Sequence, residues 1–195
     1  NIQSPLLKEP AMSSNSGDHD FEVQVLENTE WGFQTYLAAK SLEGSVNFEQ
    51  CEKLFKQSFE KKEATCFVLR DKKAQKIIGY AEIVYDRNLQ GDLIGTMTGD
   101  YLTPEARNNR LAHYLWDARI EWAKHNTDCV KLCARIDQKL ESSCRAAERA
   151  GFALANKAIR NRGEDLCCWY ELKLSRRAET VPTPKQSSTW NNMDL

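Results

Sequence analysis

The stretch from residue 93 to residue 124 constrains the fold more than any other part of the sequence. Residues 93–102 (LIGTMTGDYL) have the composition of a β-strand, and a short turn leads from them into a helix predicted over residues 107–124. The apolar residues of that helix that recur at helical spacing are Leu111, Leu115, Ala118 and Trp122. A strand that turns directly into an amphipathic helix predicts a sheet with helices packed on its faces.

The rest of the chain alternates strand and helix patterns around this unit. Further strands are predicted at residues 21–27, 65–70, 77–85, 129–136, 152–158 and 166–174, and further helices at 30–42, 48–63 and 139–150. Gly151 suits a left-handed cap at the end of the last helix. We therefore expect one α/β domain over residues 21–175, with a mixed sheet flanked by helices. Residues 1–20 and 176–195 are polar, lack any period and are predicted to be flexible tails.

Composition excludes several classes of function. The 27 Lys and Arg residues balance 28 Asp and Glu residues, so the chain lacks the basic excess that binding to nucleic acid requires. No apolar run approaches the roughly 20 residues that a membrane-spanning helix needs. The seven cysteines form neither a disulfide framework nor a zinc spacing. We expect free thiols in a reducing, cytoplasmic setting, with no metal and no membrane contact.

The turn within residues 99–112 (GDYLTPEARNNRLA) is the strongest candidate for a binding site. The start of a helix leaves backbone N–H groups without intrahelical partners and carries a partial positive charge. Arg107 and Arg110 lie in the same turn, so the segment predicts an anion site suited to a phosphate-bearing ligand. Two arginines at a helix start are also common on a plain solvated surface, and the pattern alone leaves both interpretations open.

This segment resembles the GNAT N-acyltransferase superfamily, especially the branch that acetylates the N-termini of ribosomal proteins. The residues in matching positions are Gly99, Leu102, Pro104, Glu105, Arg107, Leu111, Ala112, Trp122 and Ala123. A second block matches downstream at Asp137, Ser143, Glu148, Gly151 and Phe152. The two blocks stand at the family's spacing, and the resemblance covers roughly residues 21–174. It implies the GNAT fold, in which helices flank a central mixed sheet.

The resemblance also implies how a ligand binds. Acyl-CoA, most simply acetyl-CoA, would enter a cleft where the fourth and fifth strands separate. Its pantetheine arm would pair with the strand edge formed by Tyr101, Leu102 and Thr103. Its pyrophosphate would lie on the turn formed by Arg107, Asn108, Asn109, Arg110, Leu111 and Ala112. An acceptor amine would then attack the thioester directly. That amine is a protein N-terminus, a lysine or a small molecule, and whether the enzyme is a homodimer stays open.

Catalysis of this kind requires a base for the ammonium proton and a proton source for the departing thiolate. The candidate bases are Glu82 and Asp100, although either could be an ordinary exposed carboxylate on a strand. Ser143 or water would protonate the thiolate. A backbone N–H near Leu102 would stabilise the oxyanion. The aromatic residues that could line the acceptor pocket are Tyr80, Tyr85 and Tyr101, although packing in the core or at the sheet edge is the default role of each.

Four positions depart from the family pattern and motivate a second hypothesis. Asn108 and Arg110 replace the two glycines of the pyrophosphate turn, and Arg110 would either clamp a phosphate or fill the groove. Leu140 replaces an asparagine, and Ala147 stands where many members have a tyrosine acid. The alternative function is therefore a catalytically degenerate relative that binds CoA or another protein and acts as a regulator.

Overall fold

The structure is a computed structural model and describes residues 20–160 and 166–174. The tail predicted at residues 176–195 lies outside these residues, as does the tail predicted at residues 1–20 except for Asp20. The strands are β1 (Phe21–Val25), β2 (Ala64–Asp71), β3 (Lys76–Arg87), β4 (Leu93–Leu102), β5 (Lys131–Asp137), β6 (Ala153–Arg160) and β7 (Leu166–Lys173). The helices are α1 (Glu30–Lys40), α2 (Phe48–Glu60), α3 (Ala112–Asn126) and α4 (Glu141–Arg149).

Within the described residues, the seven strands form one sheet in the order β1-β2-β3-β4-β5-β7-β6. Neighbouring strands are antiparallel except β4 and β5, which are parallel. The parallel pair is connected through α3, as a crossover between parallel strands requires. The predicted α/β class with a mixed sheet and flanking helices is confirmed.

Each face of the sheet has its own apolar core, because successive strand residues point to opposite sides. Phe67 and Ile83 point towards α3 and pack with Leu115, whereas Val68 points towards α1 and packs with Phe33. The helices α1 and α2 cover the first half of the sheet on one face, and α3 and α4 cover the other face. The two sides of β3 and β4 therefore meet different surroundings, and this difference decides where the candidate site residues lie.

Local sequence explains where α1 and α2 begin. The Thr29 hydroxyl accepts a hydrogen bond from the Gly32 N–H at 3.0 Å, and the Asn47 side chain accepts one from the Gln50 N–H at 2.9 Å. Such caps satisfy N–H groups that have no partner within the helix. At the far end of α4, Gly151 has φ 92°, so the predicted left-handed cap is confirmed.

The helix predicted to begin at Arg107 begins instead at Ala112, so that part of the prediction is wrong. Arg107 is extended, with φ −67° and ψ 156°, while Asn108 and Arg110 have φ 63° and 59°. Left-handed residues interrupt the α-helical hydrogen-bond ladder, so the segment from 107 to 111 is a turn. The buried residues of α3 are Leu115, Trp116, Arg119, Ile120 and Ala123.

Candidate functional site

The site is built around the point where β4 and β5 separate. Their parallel pairing extends from Ile94 with Lys131 to Met97 with Ala134, whereas β4 continues to Leu102. Over the same length β5 stays paired with β7 as far as Asp137. In the described part of the chain, residues 98–102 therefore have no strand partner on the side of β5. Such an edge offers backbone hydrogen-bonding groups to an extended ligand.

A β-bulge in β4 lies at the start of this separated segment. Thr98 pairs with Glu82 of β3 and Tyr101 pairs with Tyr80, so Gly99 and Asp100 together oppose a single β3 residue. Gly99 has φ 66°, the left-handed conformation typical of a glycine-type bulge. The extra residue changes the alternation of side chains along β4. As a result, Thr98 and Tyr101 point towards α1, while Asp100 points towards α3.

The predicted base Glu82 lies on the α1 face, where it forms an ion pair. The Lys40 Nζ lies 2.8 Å from the Glu82 Oε1, and the Glu82 side chain is only 17% exposed. The same ammonium lies 4.4 Å from the centre of the Tyr80 ring and 5.5 Å from that of Tyr36. These distances are within the range of cation–π attraction. Carboxylate and aromatic rings together thus form a binding site for a primary ammonium group.

The same cluster has strongly perturbed ionisation. Burial, reinforced by the Glu82 carboxylate, raises the pKa of the Tyr36 hydroxyl and that of the Cys66 thiol. Burial and a hydrogen bond with Glu43 raise the pKa of the Tyr80 hydroxyl. The three groups therefore stay protonated at neutral pH.

A cleft of about 820 Å³ opens beside this cluster, between α1 and α2 on one side and β2 and β3 on the other. Its charged lining residues are Glu43, Glu63, Glu82 and Lys40, so carboxylates outnumber the cation. Its apolar lining includes Val46, Leu54 and Val84, which are 38%, 47% and 40% exposed. The cleft therefore combines negative charge with accessible apolar surface.

The second predicted base, Asp100, lies on the other face and pairs with Arg119 of α3. The Arg119 Nη2 lies 2.5 Å from the Asp100 Oδ1. The fully buried guanidinium also donates to the carbonyl oxygens of Leu115 at 3.1 Å and Glu82 at 3.3 Å. Sequence reasoning missed Arg119, although its position within the apolar stripe of α3 was a usable signal. The two candidate bases are thus separated by the sheet.

Burial and ion pairing oppose one another in the Asp100–Arg119 pair. Burial raises the pKa of the Asp100 carboxyl and lowers the pKa of the Arg119 guanidinium, while each partner favours the charged form of the other. The Asp100 side chain keeps 45% of its surface exposed and contacts a guanidinium. Solvent and the opposite charge therefore keep the pair ionised in spite of the desolvation.

The predicted anion turn keeps the backbone shape of a glycine-containing turn. Asn108 and Arg110, which replace the family's two glycines, both adopt left-handed conformations. The Asn109 side chain donates to the Glu105 carbonyl at 2.9 Å, and His113 Nδ1 lies 2.6 Å from the Arg110 carbonyl oxygen. Arg110 itself is exposed. The turn is thus held by local hydrogen bonds in spite of its lack of glycine.

Two other residues expected to bind acyl-CoA, Arg107 and Thr103, make hydrogen bonds within the fold. The Arg107 Nε donates to the Leu102 carbonyl at 3.0 Å, and its guanidinium lies 5.4 Å from the centre of the Tyr101 ring. The Thr103 N–H donates a hydrogen bond to the Ile78 carbonyl at 2.9 Å. Arg107 therefore folds back over the end of β4.

Leu111 and Ala112 form the junction between the turn and α3. Leu111 is 8% exposed and packs in the core, and α3 begins at Ala112. Because a leucine side chain has no hydrogen-bond acceptor, Leu111 cannot cap the first N–H groups of α3. The first N–H groups of α3 are therefore suited to an external anion.

The remaining candidates lie in different places. Tyr80 and Tyr101 stack with ring centres 5.9 Å apart on the α1 face, and the Tyr101 hydroxyl donates to the Leu42 carbonyl at 2.9 Å. Tyr85 belongs to the core of the α3 face, so it has the packing role that was its default expectation and not a place in the acceptor pocket. The half-buried Ser143 lies in the first turn of α4, which follows β5.

In the part of the chain that the structure describes, no group of three or more His, Cys, Asp or Glu side chains is placed to hold a metal ion. None of the helices in residues 20–160 and 166–174 has the length and apolarity needed to cross a membrane.

Comparison with known proteins places this geometry in a family. The family model for the acetyltransferase (GNAT) family matches residues 27–152. A search of curated proteins finds no match. Among solved structures, the Vibrio cholerae spermidine N-acetyltransferase in complex with CoA and spermine is 14% identical, with a TM-score of 0.61 over 80% of this chain and 97% of that one.

Two further structures are similar. A chimera of spermidine N-acetyltransferase from Vibrio cholerae and hSSAT is 13% identical, with a TM-score of 0.64 over 80% of this chain and 96% of that one. A GNAT acetyltransferase from Streptococcus pneumoniae is 16% identical, with a TM-score of 0.60 over 78% of this chain and 100% of that one. At these identities the likeness shows a shared fold, and the family model covers more than half of the chain. The chain belongs to the GNAT acetyltransferase family.

Proposed function

We propose that this protein transfers an acetyl group from acetyl-CoA to a primary amine by direct attack of the amine on the thioester. The observation that carries the proposal is the separation of β4 from β5 beyond Met97. The chain that follows β4 then forms a left-handed turn just before α3. A backbone edge followed by an anion-binding turn matches the chemistry of an amide-containing arm that ends in a diphosphate. Family membership supports the same donor.

In the acetyl-CoA site that we propose, backbone groups contact the ligand more than side chains do. Tyr101 and Leu102 end β4 along the opening, and Thr103 follows them. The left-handed Asn108 and Arg110 give the turn the shape that two glycines would give it. Since Arg110 is exposed, its guanidinium can add a charge-assisted contact to a phosphate.

Glu82 is the base that we propose. The acceptor arrives as an ammonium ion and must lose a proton before its nitrogen has a lone pair for attack. Glu82 already holds one ammonium, that of Lys40, and lies opposite Thr98 where β4 leaves β5. Asp100 is the other candidate, but its carboxylate is engaged by Arg119 on the opposite face, and we assign it a positioning role.

Two further steps need stabilisation. The Leu102 N–H is our candidate donor to the oxyanion that forms when the amine attacks. Ser143, or a water molecule, is our candidate proton source for the departing thiolate, because Ala147 is fully buried and has no acidic side chain. A thiolate needs less help to leave than an alkoxide, since thiols are far more acidic than alcohols.

The acceptor that fits the cleft is cationic. Glu43, Glu63 and Glu82 outnumber Lys40 in the lining, so the local field favours an ammonium-bearing ligand. A protein N-terminus, a lysine side chain and a polyamine all meet this requirement. The apolar lining at Val46 and Leu54 supports a peptide segment, with an apolar residue beside its amine, over a plain polyamine.

The experiment is an acetyl-transfer assay with a panel of acceptors. The protein is incubated with acetyl-CoA and, in separate reactions, with N-terminal peptides, lysine peptides and spermidine, and CoA release is followed. We expect release with at least one acceptor. We also expect Glu82→Gln to lower kcat about a hundredfold or more without weakening CoA binding. Glu63→Gln, in the same cleft, should change KM more than kcat. CoA binding without release for any acceptor would contradict the proposal.

That contradicting outcome would favour the second candidate function, a CoA- or protein-binding regulator without turnover. Arg110 and Ala147 support this alternative, since each replaces a residue on which the family's chemistry commonly depends. Calorimetry with CoA separates the two forms of the alternative. If CoA fails to bind and Arg110→Gly restores binding, the arginine side chain fills the groove.

A further inference from the structure

Lys40 occupies the place that an acceptor ammonium would take. It is the last residue of α1, and its side chain is 21% exposed. Its Nζ lies 2.8 Å from Glu82 and 4.4 Å from the centre of the Tyr80 ring. A carboxylate and an aromatic face are the groups with which proteins recognise alkylammonium ligands. A substrate amine that used Glu82 as its base would therefore have to compete with Lys40.

The position of Glu82 brings this ammonium to the edge of the separated strands. A Cβ atom on Gly99 in the β4 bulge would lie 3.3 Å from the Glu82 Cδ. Thr98, the β4 partner of Glu82, is the first residue beyond the pairing with β5. Lys40 is thus held one strand away from the opening, at the end of a flexible four-carbon stem that can carry its nitrogen across that distance.

We propose that Lys40 is itself an acyl acceptor, so that the protein acetylates its own Lys40 from acetyl-CoA. The inference rests on the proposed function, since it uses the same donor and the same base. Glu82 takes a proton from the Lys40 ammonium, and the freed nitrogen attacks the thioester carbonyl. The C–N bond forms, the C–S bond breaks, and the proton left on nitrogen passes to the departing thiolate. The products are acetyl-Lys40, CoA and the proton released from Glu82 to solvent.

Self-acetylation changes the cleft. The neutral amide of acetyl-Lys40 can no longer form an ion pair with Glu82, so the carboxylate loses the cation that it holds in this structure. A cationic acceptor then meets no competing ammonium at Glu82. Acetylation of Lys40 would therefore free Glu82, the base of that same reaction, to accept a proton from another amine.

Two other lysines serve as matched controls. Lys131 also forms an ion pair at 2.8 Å, with Glu171, and its side chain is 30% exposed on the β5–β7 part of the sheet. Lys56 pairs with Glu52 at 2.6 Å on α2 and is 60% exposed. Uncatalysed acetylation favours exposed amines, so Lys40 should be the slowest of the three with a small chemical acetylating agent.

The test measures modification of each lysine by peptide mass mapping over time. With acetyl-CoA we expect Lys40 to be modified about tenfold or more faster than Lys131 and Lys56, because a positioned amine reacts at high effective concentration. With N-hydroxysuccinimide acetate the order should reverse. Lys40→Arg should abolish the fast modification, and Lys131→Arg should leave it unchanged. Modification of Lys40 no faster than that of Lys131 would overturn the inference.

The same incubations separate this inference from the proposed function. Acetyl transfer to an added amine, with Lys40 unmodified, would overturn self-acetylation alone. Absence of transfer to every added amine and to Lys40, in protein that binds CoA, would overturn both. Transfer to Lys40 without any added acceptor would support both, with Lys40 as the first substrate.

Discussion

Arg119 of α3 is fully buried and is held by Asp100 in the β4 bulge, with 2.5 Å between Nη2 and Oδ1. The guanidinium also donates to the Glu82 carbonyl of β3 at 3.3 Å. One buried cation therefore connects α3 with both strands that carry the candidate bases. Asp100 supplies the compensating charge, and we infer that the pair fixes the bulge at the edge of the cleft.

We predict an asymmetric loss of stability when this pair is broken. Asp100→Ala leaves a buried guanidinium without its counter-ion and should lower the free energy of unfolding by about 3–5 kcal/mol. Arg119→Met should cost less, because Asp100 is 45% exposed and can be hydrated. Urea unfolding measures both. The control is Asp128→Ala, which breaks the exposed pair with Arg87 and should cost about 1 kcal/mol or less. Equal losses for Asp100→Ala and Asp128→Ala would contradict the role of burial.

We predict that Gly99→Ala affects catalysis as well as stability. Gly99 has φ 66°, and an alanine there would place its Cβ 3.3 Å from the Glu82 carboxyl carbon. The matched control is Gly91→Ala, since Gly91 has φ 84° and open space around its Cα. Both substitutions should cost about 1–2 kcal/mol through backbone strain. Only Gly99→Ala should also lower kcat, as measured by CoA release, and a similar fall for Gly91→Ala would refute the role of the bulge.

We predict that Arg110 strengthens CoA binding through a phosphate. Arg110→Gln should weaken the affinity about five- to tenfold in calorimetry, and added salt should reduce the difference between variant and parent. Arg87→Gln is the control, because Arg87 is an exposed arginine whose guanidinium pairs with Asp128. If Arg110→Gln instead tightened CoA binding, the side chain would be filling the groove, as the alternative function requires.

We predict a defined pH dependence for the Glu171–Lys131 pair. The hydrogen bond from Lys131 lowers the pKa of the Glu171 carboxyl below its ordinary 4.5, and burial opposes this effect. A carboxyl with a lowered pKa stabilises the fold above its unfolded pKa, and the contribution is lost as the pH falls through the folded value. Glu171→Gln should therefore cost about 0.5–1 kcal/mol near pH 7 and nothing near pH 2. A cost that does not change with pH would show that the charge contributes nothing.

The sequence predicted the order of the strands and helices well, whereas the acyl-CoA site stays a prediction. Strand and helix periods are local properties, and they placed β4, the turn and α3 within a few residues. The two left-handed positions, Asn108 and Arg110, could be expected from the family's glycines. The helix was predicted to begin at Arg107 but begins at Ala112, because Asn108 and Arg110 are left-handed and the apolar spacing does not report that backbone conformation.

The acceptor side could not be predicted in the same way. Glu82 and Asp100 were equal candidates in the sequence, and only the bulge at Gly99 turns Asp100 to the α3 face. No sequence pattern distinguishes Lys40, because its contact with Glu82 joins residues that are far apart in the chain. Arg119 stood in an apolar stripe, but its burial depends on a partner supplied by β4.

The sequence by itself determined which segments are strands and helices, because hydrophobic period and backbone preference act over a few neighbouring residues. The tertiary structure alone decided that Glu82 faces Lys40 and that Asp100 faces Arg119. Strand register and one inserted bulge residue set the face to which each side chain points, and both depend on pairing between distant segments.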